Sequence, residues 1–204
     1  FRAGASGTQT AGLFFAGKAG PYPSPPGNVT TTFAYDGSTW TAKPSLATAR
    51  QSIAAGGVSS PSTAAIGAGG YTSPGVTAAT EEFTSSTNVI TAAAWASSNN
   101  MNTARSYAGG MLGSDSTQSA GMAFGGQDST GVLALNEEYD GSSWSESGDL
   151  GTARRWHYGA GSQTAALCAG GVAAAAATPV TSNTEEYDGS SWSEVTNMGT
   201  GRYN

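Results

Sequence analysis

The chain has 204 residues, of which 30 are glycine, 27 serine and 25 threonine; only 11% are charged and the net charge is −6. A helical bundle is excluded, because lysine occurs only at Lys18 and Lys43 and no long Leu/Glu/Lys/Ala periodicity exists. A transmembrane span, which needs about 20 apolar residues, is excluded as well, so no membrane insertion is expected. What remains is an all-β chain of small residues, or disorder. The eight lysines and arginines are scattered, so there is no basic stripe to neutralise phosphates and no nucleic-acid partner is expected. Cys168 stands alone, which excludes an internal disulfide framework. The chain opens on Phe1 rather than methionine, as expected of a processed chain or a segment of a longer one.

Self-comparison gives four units in one frame. Trp40, Trp95, Trp144 and Trp192 are each followed ten residues later by an arginine, namely Arg50, Arg105, Arg154 and Arg202. Diglycines recur at Gly69-Gly70, Gly125-Gly126 and Gly170-Gly171, with Ala16-Gly17 in the first unit. Double acids recur at Glu81-Glu82, Glu137-Glu138 and Glu185-Glu186, where the first unit has Phe33-Ala34. Tyr35, Tyr139 and Tyr187 lie five residues before a tryptophan, and Phe83 replaces this tyrosine in the second unit. The units run over about 1–49, 50–104, 105–153 and 154–204 and form a single domain, 1–204.

Each unit reads as four short strands, A to D. In chain order, strand A covers 3–7, 53–57, 107–111 and 157–161, and strand B covers 13–16, 64–68, 121–124 and 166–169. Strand C carries the acids and the tyrosine, and strand D carries the tryptophan. Asp36-Gly37, Asp140-Gly141 and Asp188-Gly189 are hairpin signals between C and D. They set Tyr35 opposite Trp40, Tyr139 opposite Trp144 and Tyr187 opposite Trp192 as cross-strand aromatic pairs. The second unit carries an insertion within 84–94, in the same connection. A four-stranded sheet of this size cannot bury both faces alone, and radial stacking of such sheets is a β-propeller. Small residues in strand A suit the crowded axis, and Tyr and Trp fill the wider wedge outside. A closed ring, with blade four packed on blade one, is favoured by those small residues. An open array would need its end faces covered by further repeats or another subunit.

An arginine opening strand A, a diglycine ending strand B, then Tyr and Trp at fixed spacing resemble the Kelch repeat across essentially the whole chain. The resemblance implies an all-β β-propeller of four Kelch-like four-stranded blades. The Ser/Thr/Ala-rich wording, with Glu-Glu-Tyr-Asp-Gly-Ser-Ser-Trp (185–192) and Gly-Ser-Gln-Thr-Ala-Ala-Leu (161–167), resembles repeat proteins of marine tailed phages. That likeness implies a virion, tail-fibre or other extracellular setting.

His157 is the only histidine, so a Ser-His-Asp or Cys-His site would have to use it. It aligns with Ala3, Ile53 and Ala108, which marks it as a packing substitution in one blade. Cys168 aligns with Phe14, Gly67 and Ala123 and reads the same way. The copper oxidases among Kelch-like proteins need several histidine and tyrosine ligands, which one histidine cannot supply. The paired glutamates are adjacent in a strand and so point to opposite faces, unlike the two carboxylates of a glycosidase. They are expected to pair with the repeat arginines rather than to bind metal. No cofactor is expected, since no glycine-rich segment has a phosphate-binding fingerprint.

Function is better sought in the B–C loops, 18–31, 71–80, 127–136 and 172–184, which should all emerge at one end of the ring. Tyr22 and Tyr71 are candidates for stacking on a sugar or a partner, and Trp156, His157 and Tyr158 form a second candidate cluster. The expected function is non-enzymatic: a binding or structural propeller of a virion or tail fibre, presenting loops to a host surface or to other subunits. The alternatives are a secreted or surface lectin-like module that binds glycans, and an enzyme with an axial site. Partners are other virion or surface proteins and glycans, and oligomers are compatible with either setting.

Overall fold

The structure is a computed structural model that describes residues 3–19, 27–56, 63–73, 75–85, 94–112, 119–173 and 180–203. All regular structure among the described residues is β. Blade one comprises β1 (Gly4–Thr8), β2 (Ala11–Phe15), a two-residue ribbon of β3 (Lys18–Ala19) and β4 (Gly27–Asn28), then β5 (Thr32–Tyr35) and β6 (Trp40–Lys43). Blade two is β7 (Ala54–Gly56), β8 (Ala64–Ala68), β9 (Thr80–Thr84) and β10 (Ala94–Ser98). Blade three is β11 (Gly109–Leu112), β12 (Gly121–Phe124), β13 (Asn136–Tyr139) and β14 (Trp144–Ser147). Blade four is β15 (Tyr158–Ser162), β16 (Ala165–Ala169), β17 (Thr184–Tyr187) and β18 (Trp192–Glu194). Each blade is one antiparallel four-stranded sheet with its strands in chain order, and together the four make a four-bladed β-propeller.

Three cross-strand pairs stand as the spacing requires, Tyr35 facing Trp40, Tyr139 facing Trp144 and Tyr187 facing Trp192, and Phe83 faces Trp95 in the same way despite the insertion between them. Asp140 sets the turn in blade three, its Oδ1 accepting the Ser142 and Ser143 N–H groups at 2.8 and 2.7 Å. Those two bonds, the one from Ser143 foremost, hold its carboxyl down at about 2. Asp36 and Asp188 repeat the arrangement. The insertion of blade two falls at the same turn, between β9 and β10, and most of it, 86–93, lies outside the described residues.

Strand A begins later than the sequence predicts. Ser52, Tyr107 and Trp156 occupy the left-handed region, with φ of 53°, 57° and 54°, which non-glycine residues adopt only when their surroundings impose it. The Tyr107 N–H donates to Ser52 O at 3.3 Å and the Trp156 N–H to Tyr107 O at 3.2 Å, so each bend hydrogen-bonds to the bend of the preceding blade. The strand therefore starts only after the bend, at Ala54, Gly109 and Tyr158.

Consecutive inner strands pack on one another, β1 on β7, β7 on β11 and β11 on β15. At each junction the tryptophan of one blade lies on the blade before it. Trp95 meets Phe15 at 4.9 Å between ring centroids, Trp192 meets Phe124 at 4.8 Å, and Trp144 is buried with Ile66, Ala68 and Met101. The indole N–H groups of Trp95 and Trp144 donate to Thr32 and Thr80 Oγ1 at 3.2 and 3.1 Å. The Tyr139 and Tyr187 hydroxyls donate to Glu82 and Glu138 of the preceding blade at 2.5 and 2.7 Å.

The expected closed ring is not what the end blades show. Trp144 and Trp192 are 7% and 8% exposed, but Trp40 is 57% exposed, and Phe14 and Phe33 on the same face are also exposed. Leu13, Ile66 and Met122 are buried under the following blade, while the equivalent Leu167 is 38% exposed. Blade four therefore does not cover blade one. The small residues of strand A have a different purpose: a Cβ on Gly4 would sit 2.7 Å from the Phe15 ring, and one on Gly159 2.6 Å from Phe124 Cζ. They make room for the phenylalanines of strand B at the junctions.

Truncating a buried tryptophan removes a wedge that nothing else fills. Trp144→Ala is expected to cost about 3–5 kcal/mol in chemical denaturation. An unchanged midpoint would show that the junction does not rest on this ring.

Candidate functional site at the loop-bearing end

The charged residues of the repeat are committed to the fold. Arg50, Arg105 and Arg154 are fully buried and pair with Glu81, Glu137 and Glu185. Each guanidinium also donates to a carbonyl just ahead of strand C, that of Ala79 at 2.6 Å, Leu135 at 2.7 Å and Asn183 at 2.8 Å. The far carboxylate oxygens accept backbone N–H groups of the linker, from Ala47, Asn102 and Gly151. Burial pulls the Arg50 and Arg105 guanidinium groups below their ordinary value, and the facing Glu81 and Glu137 carboxylates oppose it. The first glutamate of each pair thus goes to the arginine, as the sequence suggests. The second, Glu82 or Glu138, turns to the opposite face and takes the tyrosine of the next blade, a role the sequence reading missed.

Removing one partner of such a pair leaves a buried charge, so Glu137→Gln is expected to destabilise by about 3–5 kcal/mol. Glu138→Gln, which weakens one part-buried bond, should cost about 1 kcal/mol. Added calcium should move neither melting midpoint.

His157 points into the junction of blades three and four, not toward the axis. The Gly109 N–H donates to its Nε2 at 2.9 Å and the Phe124 ring lies 5.3 Å away. Burial above all, helped by the Arg154 charge, lowers its pKa to about 3, so the ring is neutral and spent on packing. Cys168 is buried too, and burial pushes its thiol up to about 12, far from a reactive thiolate. Among the described residues no group of three His, Cys, Asp or Glu side chains could hold a metal ion.

Below pH 6.5 the unfolded chain takes a proton on His157 that the folded chain refuses. Stability should therefore be flat above pH 6.5 and fall by about 1.4 kcal/mol per pH unit as pH drops from there toward 3. Denaturation curves between pH 7 and 4.5 check this, and in His157→Gln that slope should vanish.

The described parts of the B–C loops share one end. Beyond each diglycine the chain makes single bridges that run Gln51–Tyr71–Val76, Ser106–Gln127–Val132 and Arg155–Val172–Val180. Tyr71 is half-buried, bonded through its backbone to Gln51 and receiving the Asn28 side-chain amide on its carbonyl at 2.8 Å. Trp156 lies at the same end, between Tyr107 at 5.6 Å, near perpendicular, and Tyr203 at 5.6 Å, stacked. The Arg155 guanidinium sits 4.0 Å from the centroid of the Trp156 ring and donates to Gln127 Oε1. Tyr203 is exposed, so the stack opens to solvent at that ring. Asp128 Oδ1 accepts the Thr130 hydroxyl and the Thr130 and Gly131 N–H groups, which fixes the loop of blade three; these bonds, the hydroxyl first, lower its pKa.

The structure therefore separates the candidate residues. Tyr71 and Trp156 belong to one end, His157 is interior, and Tyr158 is exposed on the open face of blade four. Tyr22 lies outside the described residues. Tyr107, Tyr203, Arg155 and Gln127 complete the stack and were not singled out by sequence. The signal for Tyr107 was present, since it occupies the position of Trp156 one blade earlier.

No protein-family model matches the chain, and no curated protein sequence matches it. No helix among the described residues is long and apolar enough to cross a membrane.

Proposed function

We propose that this chain is a non-enzymatic binding or structural propeller, a Kelch-like repeat protein of a phage virion or tail fibre that offers its loop-bearing end to a host surface or a neighbouring subunit. The observation that carries this reading is the aromatic and cationic stack of Tyr107, Trp156, Tyr203 and Arg155 on a rigid end, with Tyr203 open to solvent. Rigid aromatics with a polar edge bind at low entropic cost, and a flat sugar ring is the ligand their faces suit. The residues that might have carried catalysis, His157 and Cys168, are neutral and enclosed. The Arg, diglycine, Tyr and Trp signature supports the Kelch-like reading, and the Ser/Thr/Ala-rich wording supports the virion setting.

The same stack would serve a secreted lectin-like module, and one experiment bears on both readings. The protein is applied to an array of bacterial capsular and lipopolysaccharide glycans beside an array of animal glycans. Binding confined to bacterial glycans, reduced at least tenfold in Tyr203→Ala and Trp156→Ala, is the expected result. Binding to animal glycans alone would favour the lectin-like module, and binding that both variants retain would move the site elsewhere.

A further inference from the structure

The junctions between blades draw on a common set of contacts, a tryptophan N–H on a threonine at two of them and a tyrosine hydroxyl on a glutamate at two, and the two open end faces carry the counterparts of these groups. We propose that a second copy of this chain seats its blade one on blade four, head to tail, and so rebuilds that junction between molecules.

The half on blade four repeats most positions of the junction, with Tyr158 exposed where Gly4, Ala54 and Gly109 stand in the other blades. Leu167 occupies the place of Leu13, Ile66 and Met122, all buried where a following blade is present. Thr184 occupies the place of Thr32 and Thr80, whose hydroxyls accept a tryptophan N–H; its own Oγ1 has no partner and is covered within the chain, so it must turn outward to meet one. Glu186 is exposed in the place of Glu82 and Glu138, which accept a tyrosine hydroxyl. The Arg202 carbonyl accepts the Gly171 N–H at 2.8 Å, as the Arg50, Arg105 and Arg154 carbonyls accept theirs from Gly17, Gly70 and Gly126.

The half on blade one is already shaped. Tyr35 and Trp40 meet at 5.0 Å and 33°, against 5.2 Å and 37° for the buried pair Tyr139 and Trp144. Seated on a second copy, the Trp40 N–H reaches Thr184 Oγ1, the Tyr35 hydroxyl reaches Glu186, and the Trp40 ring covers Leu167. Two positions differ from the repeat: Phe14 stands where the other blades have Gly67, Ala123 and Cys168, and Phe33 where they have Glu81, Glu137 and Glu185. The exposed Arg202 then meets an aromatic face in place of a carboxylate, a cation–π contact instead of an ion pair. The groups on the two faces are the donor and acceptor halves of contacts this repeat already makes, so the occupant is the same chain rather than an unrelated protein. A head-to-tail contact closes a ring where the rotation permits, and two copies bring together eight blades, within the about four to eight that propellers use.

The proposal does not depend on what the loop-bearing end binds. Sedimentation and light scattering of the wild-type protein up to about 100 μM should show a dimer, which requires only modest affinity. Trp40→Ala spoils the blade-one face and Leu167→Glu the blade-four face; both residues are exposed, so the fold persists, and circular dichroism verifies this. Each variant alone should be monomeric. An equimolar mixture should associate again, because one variant supplies an intact blade one and the other an intact blade four. A monomeric wild-type protein, association that both variants retain, or a mixture that stays monomeric would overturn the proposal.

Discussion

A buried guanidinium sets the pitch of this propeller. Arg50, Arg105 and Arg154 have no access to water, and an ion in that position costs several kcal/mol unless it is paired and hydrogen-bonded. The partners come from separate places: the diglycine, the carbonyl ahead of strand C and the first glutamate of strand C. The same glutamate receives N–H groups from the linker that carries the arginine. The pair forms properly only when linker, strand B and strand C of one blade are all in place. It marks where one blade ends and the next begins, and a frame shift of one residue would leave the charge alone.

The second glutamate carries the constraint outward. Adjacent strand residues point to opposite faces, so Glu81, Glu137 and Glu185 close their own blade, while Glu82 and Glu138 receive the next. Burial first, and the hydrogen bond to Glu82 next, push the Tyr139 hydroxyl up to about 12, so it stays a donor across the ordinary pH range. One dipeptide thus both completes a sheet and prepares the face on which its neighbour lands. Acidic pairs of this kind leave little free charge for chemistry, and the part of the molecule left to vary is the loop-bearing end.

The register of the three uninterrupted C–D hairpins was legible in the sequence because it is local: the distance from Tyr139 to Trp144 leaves room for only one turn. The pairing of glutamates with arginines was legible for another reason, since a buried charge has few other partners. The start of strand A was not, because the left-handed bend at Ser52, Tyr107 and Trp156 is held by hydrogen bonds between blades. The stack of Tyr107, Trp156 and Tyr203 was hidden for the same reason, as Tyr107 comes from the third unit and Trp156 and Tyr203 from the two ends of the fourth. The ring closure was misjudged because Gly and Ala in strand A signal close approach without saying to what. They admit the Phe15 and Phe124 rings, which a tight axis does not require.

Blade one departs from the repeat on both faces, with Ala34 toward blade two in place of a glutamate and the larger changes on its open face. Phe14 stands where the other blades have glycine, alanine or cysteine, Phe33 stands for a glutamate, and Trp40 remains as in an interior blade. Repeat arrays that end in solvent carry a polar outer surface on the terminal unit. Here the opposite holds, for two phenylalanines and a tryptophan face water, forfeiting roughly 25 cal/mol for each Å² of apolar surface left uncovered. Phe33 leaves this face without the carboxylate that the other blades carry at that position. Blade one is therefore not built as a cap: its outer face has the chemistry of a junction, with aromatic cover added where the ion pair is missing.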